Sequence, residues 1–104
     1  MSRNYKYWNQ EFPHFISFAT VGWIDVFTRR DYFNVMVDCI NHTIDEKGLI
    51  VYGWCIMTNH VHMIIGTKGI KQQDLVRDLK SFSAKRLLKT IQVNPQESRK
   101  QWLL

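Results

Sequence analysis

Two histidines set two residues apart, His60 and His62, are best placed by type and spacing to do chemistry in this sequence. In an extended segment alternate residues point the same way, so both imidazoles project from one face while Val61, Met63 and Ile65 project from the other. Two imidazoles at that separation can bind one divalent ion and need a third ligand and water to complete the site. Most isolated His-x-His pairs are surface histidines near a turn. This pair follows an asparagine, Asn59, and opens a strand-like run inside the most apolar stretch of the chain. Whether His14 or Glu11 approaches the pair as a further ligand is left open by spacing alone. Cys39 and Cys55 are too few for a disulfide scaffold, and each lies in an apolar segment, so both are expected to be reduced and buried. A zinc site from Cys39, His42 and Cys55 has no paired spacing such as C-x-x-C behind it.

The elements that must position the histidines can be read from hydrophobic period. Residues 14–24 (HFISFATVGWI) are aromatic and β-branched, with Phe15, Ala19 and Val21 on one face and Ile16, Phe18 and Thr20 on the other, which predicts a strand covered at least in part on both faces. Thr28 followed by Asp31 fits a capping box, and Phe33, Met36 or Val37, Ile40 and Ile44 recur at helical spacing up to Gly48, a helix stop. Residues 49–57 (LIVYGWCIM) and 61–65 read as two further strands joined through Thr58 and Asn59, and residues 66–69 as a loop. From about Lys71, Leu75, Val76, Leu79, Phe82, Leu87, Leu88 and Ile91 describe a second amphipathic helix ending before Asn94 and Pro95. Strand, helix, strand, strand, helix is most of a split β-α-β-β-α-β unit. The expected fold is therefore α+β, a ferredoxin-like β-α-β-β-α sandwich whose antiparallel sheet carries its helices on one face. The apolar set of the third strand would face those helices, leaving His60 and His62 on the uncovered side.

A chain of 104 residues suits one domain, spanning 1–104, and 45% apolar with 22% charged residues is ordinary globular composition. The net charge of +5 is unevenly spread: residues 1–65 hold five Lys/Arg against six Asp/Glu, and residues 66–104 hold nine against three, so the halves carry −1 and +6. The basic half is a candidate surface for a polyanion. In the second helix Arg77, Lys80, Lys85, Arg86 and Lys89 fall on the flanks or outer side if Leu75, Leu79 and Phe82 face the sheet. No stretch approaches the roughly 20 apolar residues that span a bilayer, and no basic start leads into an apolar run. The chain reads as cytoplasmic.

Residues 54–65 (WCIMTNHVHMII) resemble the signature of the HUH superfamily, in the branch of single-tyrosine, IS200-like transposases that includes the REP-associated tyrosine transposases. The likeness extends to FISFATVGWIDVFTRRDYF and to DLVRDLKSFSAKRLLKTI, and so covers nearly the whole chain. Thr58 stands where many relatives carry proline, which affects the hairpin turn and leaves the histidines intact. The resemblance implies that His60 and His62 hold Mg²⁺ or Mn²⁺ against a scissile phosphate, imidazole favouring Mn²⁺. It also implies hairpin-forming single-stranded DNA as partner, bound largely through its backbone by the basic residues of the second helix, and a homodimer with the two sheets joined.

In that family the nucleophile is a tyrosine, which forms a 5′ phosphotyrosine and so stores bond energy for rejoining. It lies on a helix downstream of the histidines, as does a third metal ligand. No tyrosine or histidine follows His62 here. Tyr5, Tyr7, Tyr32 and Tyr52 all precede the motif; Tyr32 and Tyr52 are expected to pack in the core or at its rim, and the catalytic residue is unknown. The expectation is a fragment that binds metal and DNA and does not cut alone. Trp8 and Trp23 are candidates for stacking on bases, although tryptophan in a small domain is more often core. Two rivals remain: a catalytically inactive, domesticated DNA-binding module, and a small RNA-binding ferredoxin-like protein with incidental histidines.

Overall fold

The computed structural model of the protein describes residues 9–19 and 26–95. Strand β1 (His14–Ala19) is the first element, and a 3₁₀ turn at Val26–Thr28 leads into helix α1 (Arg30–Lys47). Strands β2 (Leu49–Ile56) and β3 (His60–Thr67) form a hairpin, and helix α2 (Gln72–Val93) follows. The sheet order is β1-β3-β2 with both pairings antiparallel, so β3 lies in the middle. Both helices pack on one face, giving the α+β, ferredoxin-like arrangement expected.

Alternation fixes which side chains meet the helices. Val61, Met63 and Ile65 of β3 and Ile16 of β1 are fully buried against Leu75, Val76 and Leu79 of α2 and Tyr32, Met36, Cys39 and Ile40 of α1. Each such side chain contributes about 1.5–3 kcal/mol when removed from water, which makes this layer the main source of stability. The other face has no helix over it among the described residues, and Phe15, Ser17 and Ala19 of β1 are exposed there. Among the described residues β1 is thus covered on one face, not on both.

Several boundaries differ from expectation for local reasons. The N-cap of α1 is Arg29, with no side-chain cap bond, because the 3₁₀ turn occupies Val26–Thr28; Thr28 therefore does not close a capping box. Tyr32, not Phe33, takes the buried position in the first turn, its hydroxyl accepting from Asn94 Nδ2 at 3.1 Å. Gly48 ends α1 as expected, in the left-handed region at φ 75°, its N–H donating to the Thr43 carbonyl. Strand β3 runs on through Gly66 and Thr67, residues assigned above to a loop, because they pair with Ile50 and Leu49. The hairpin closes through Met57 N–H to His60 C=O at 2.8 Å, and Phe27 N–H donates to Thr58 C=O, pinning the turn to the 3₁₀ segment. The lead-in Tyr5, Tyr7 and Trp8, the continuation of the first strand with Trp23, and residues 96–104 lie outside the described residues.

Candidate metal and nucleic-acid site

His60 and His62 open β3 and stand together on the bare face of the sheet, each partly exposed. Their rings meet edge to face with centroids 4.5 Å apart. His60 Nδ1 lies 2.6 Å from Asn59 Oδ1. An amide oxygen accepts only, so Nδ1 carries the proton and the ring's lone pair is on Nε2. His62 stacks on Phe15 of the neighbouring strand, centroids 5.6 Å apart and planes 26° from parallel. Its Nδ1 is buried and meets no hydrogen-bond partner among the described residues. Buried polar atoms are nearly always partnered, so this orphan marks a ring nitrogen that the described residues leave unused.

These features fit a divalent ion as far as two imidazoles can: the rings are adjacent, one is oriented by an amide, and one holds an unused nitrogen. No group of three His, Cys, Asp or Glu residues among the described residues is arranged to hold a metal. His14 is not the further ligand. It pairs with Ile65, whose side chain is buried, and so lies on the helix-covered face, where its Nδ1 meets Gln72 Oε1 at 2.9 Å. Glu11 is exposed in the turn before β1. The idea of a Cys39, His42 and Cys55 zinc site fails on geometry: Cys39 is buried in the core, His42 stacks on Phe82 between the helices, and Cys55 sits on the opposite face across from His62. Cys55 is exposed, contrary to the expected burial, because its apolar segment is a strand with one bare face. Both thiols are free, and burial pushes the Cys39 thiol above its ordinary value, with Arg86 lowering it and Asp38 raising it to lesser degrees.

The tyrosines separate clearly. Tyr32 is sealed in the core and unable to reach a phosphate. Tyr52 is the extra residue of a bulge between Val51 and Gly53, 62% exposed, and stands three residues from Cys55, about 10 Å along the strand from the histidine row.

The basic residues of α2 do not form one surface. Asp78 meets Lys47 and Phe82 meets His42, so the row 78, 82, 85, 89 faces the α1 side and carries Lys85 and Lys89, with Arg86 over the Phe82 ring. Lys80 reaches the other way, over Phe18 of β1. Arg77 points outward between Asp74 and Asp78, 3.3 and 3.4 Å away. All belong to the helix layer, across the sheet from the histidines.

An α+β sandwich thus carries the His60 and His62 pair on the open face of its central strand. Residues 7–103 match the family described as Transposase IS200 like, and the chain belongs to that family of single-tyrosine transposases, proteins of DNA transposition. No curated protein matches the chain. Among the described residues no helix is long and apolar enough to cross a membrane.

Sequence reasoning missed the Phe15 stack on His62, the bulge at Tyr52, and the role of Asn59. The first was legible in principle, since Phe15 alternates onto the face opposite Ile16. Asn59 stood beside the motif, yet nothing in its spacing told that its side chain holds His60.

Proposed function

We propose that the chain is the DNA- and metal-binding core of a single-tyrosine transposase acting on hairpin-forming single-stranded DNA. The observation that supports this best is the edge-to-face His60 and His62 pair, set on the uncovered face and oriented by Asn59. His60 and His62 would hold Mg²⁺ or Mn²⁺, with water and phosphate oxygens as further ligands. Such an ion, when bound, neutralises charge that develops on a phosphate under attack. The protein's own contribution is to fix two imidazoles beside each other and to keep one ring in the tautomer that presents Nε2.

Phosphate contacts fall to the helix layer in this reading: Lys85, Arg86 and Lys89 on the α1 flank, with Lys80 and Arg77 as outlying contacts. The protein works as a homodimer in the cytoplasm. A second reading, an inactive DNA-binding module, is favoured by one observation: of the tyrosines among the described residues, Tyr32 is buried in the core and Tyr52 stands in a bulge away from the histidine pair. Both readings have the 104-residue chain binding hairpins; they differ in whether it cuts.

One experiment separates them. The chain is mixed with labelled single-stranded hairpins and Mn²⁺, alone and as His60→Ala/His62→Ala, and scored for band shift and for covalent protein–DNA adduct. Salt-sensitive binding with no adduct supports a binding core. A Mn²⁺-dependent adduct lost in the double variant means that an upstream tyrosine attacks. Neither signal sinks the DNA reading for this chain.

A further inference from the structure

We propose that the open face of the sheet is a stacking platform for unpaired nucleobases, with Phe15 positioning the nucleotide beside the histidine pair and Tyr52 offering a second ring farther along. This rests on the single-strand reading above.

The chemistry of the face is unusual for a bare sheet. None of the three strands carries an Asp, Glu, Lys or Arg, yet the face exposes Phe15, Tyr52 and Ile64 around His60, His62 and Ser17. Large exposed apolar area is normally covered by something. The two aromatic rings are arranged by specific local devices. Phe15 already stacks on His62, with 53% of its surface still open. Tyr52 is the inserted residue of the β2 bulge, and its ring lies across Gly66 of β3. A Cβ at Gly66 would stand 3.0 Å from Tyr52 Cε2 and 3.4 Å from its hydroxyl, so the absence of a side chain there is what lets the ring lie against the sheet. A ring lying on the sheet turns one π-face outward, and that is the geometry a stacked base requires.

The occupant follows from charge and continuity. A strand of nucleic acid brings phosphates, and the strands hold no carboxylate to repel them. The two rings lie on the outer strands, with β3 between them, roughly 10 Å apart across the sheet. Phe15 is one contact from His62, so a base on Phe15 belongs to a nucleotide next to the phosphate the histidines would face. A second copy of the chain is the weaker candidate, because closing the face with apolar surface would take the His62 ring and the Ser17 hydroxyl out of water with no polar group to meet them. Stacking tolerates any base, so this face would hold the strand in place and leave sequence to be read elsewhere.

The test uses single-stranded DNA carrying 2-aminopurine at successive positions beside a hairpin, with the wild-type chain and Phe15→Leu, Phe15→Tyr, Tyr52→Leu and Gly66→Ala. The inference expects quenching of 2-aminopurine fluorescence at one or two positions. Phe15→Leu should lose that quench and weaken binding about five- to a hundredfold, while Phe15→Tyr restores both. Gly66→Ala, which displaces the Tyr52 ring, should behave as Tyr52→Leu. The slope of affinity against salt should stay unchanged in all, since no ion contact is lost. Circular dichroism melts report folding; Phe15 and Tyr52 are exposed, and Phe15→Tyr keeps a ring if Phe15→Leu unfolds. Wild-type quench and affinity in folded Phe15→Leu and Tyr52→Leu would overturn the platform while leaving the DNA reading intact. A dimer-to-monomer change in sedimentation for Phe15→Leu overturns it in favour of a second copy. Failure of the wild-type chain to bind any single strand overturns both.

Discussion

Asn59 and His60 are joined side chain to side chain, Oδ1 to Nδ1 at 2.6 Å, at the mouth of the hairpin that leads into β3. Adjacent residues seldom orient each other this way in a strand; here the turn brings the amide beside the ring. Metal-ligating histidines ordinarily have their second nitrogen tied down in this manner, and loss of such a partner costs about 10- to 100-fold in metal affinity. Asn59→Ala is expected to weaken Mn²⁺ binding within that range and leave the melting temperature of the metal-free chain nearly unchanged. His60→Ala should abolish binding. Mn²⁺ electron paramagnetic resonance titration distinguishes the three proteins, and equal affinity in wild type and Asn59→Ala would remove the asparagine from the site.

Acid should release the same ion, because ligating imidazoles must be deprotonated. Protons and the ion compete for the same ring nitrogens, so Mn²⁺ affinity is expected to be lower in acid than at neutral pH. Equal affinity in both argues for backbone ligands instead.

Gln72 holds the entry of β1 against the start of α2. Fully buried, it donates from Nε2 to the carbonyls of Gln10 and Phe12 at 2.9 and 2.8 Å, and its Oε1 meets His14 Nδ1, which must then be the protonated nitrogen. Its backbone N–H donates to Gln10 Oε1. Gln72→Leu keeps the volume and strands those groups, a change expected to cost about 2 kcal/mol or more in urea unfolding. Gln72→Glu keeps the acceptor for His14 but sets a buried carboxylate against the two carbonyls, so it should cost at least as much.

How much of this could be read from the chain depends on what sort of signal each feature leaves. Period-two alternation through Val61, Met63 and Ile65 was enough to put His60 and His62 on the bare face, because a one-residue slip would have buried both imidazoles. Helix α2 was visible because Leu75, Val76 and Leu79 repeat at helical spacing and Pro95 stops it. What escaped depended on contacts distant in sequence. Gln72 looks like any polar residue of a first turn, and its burial exists only because the segment before β1 crosses it, some 60 residues away in the chain. Cys55 has apolar neighbours that suggest burial, but it stands opposite His62 on the face that carries no helix among the described residues. The bulge at Tyr52 has its explanation in Gly66 on another strand. The five cations of α2 share a helix in sequence, and helix geometry divides them between two flanks and an outer edge.

The two thiols should report this layering chemically. Cys55 is exposed and should react with a maleimide in the native protein, whereas Cys39 should react only on unfolding. Burial, the largest influence, raises the Cys39 thiol in the folded state above its ordinary 9.0. A raised folded value means the contribution to stability is complete below the unfolded pKa and is lost as pH climbs through the folded one. Stability should therefore decline in the alkaline range above about 9 through this group, and Cys39→Ala, whatever its cavity cost, should flatten that part of the profile. Mass spectrometry of the labelled chain settles the first point and pH-dependent urea unfolding the second.

Salt dependence should tell which cations of α2 meet phosphate. Each phosphate contact to a single strand contributes about 0.7 to the slope of log affinity against log salt. Lys85 and Lys89 lie one helical turn apart on the α1 flank, and Lys85→Ala/Lys89→Ala is expected to reduce the slope by about 1.4 if both make such contacts. Arg77 is different: with Asp74 and Asp78 at 3.3 and 3.4 Å its charge is already matched, although the side chain is 69% exposed. Arg77→Ala should leave Asp74 and Asp78 facing the DNA and weaken binding by less than the loss of either lysine, with most of the effect recovered in Arg77→Ala/Asp74→Asn. The lysine pair and the histidines lie on opposite sides of the sheet, so the two sets of variants should also separate by metal: the slope change from the lysines is expected with or without Mn²⁺, while the histidine variants should alter only the Mn²⁺-dependent part. A lysine effect that appears only with Mn²⁺ would place both on one surface, which the β3 alternation forbids within a single chain.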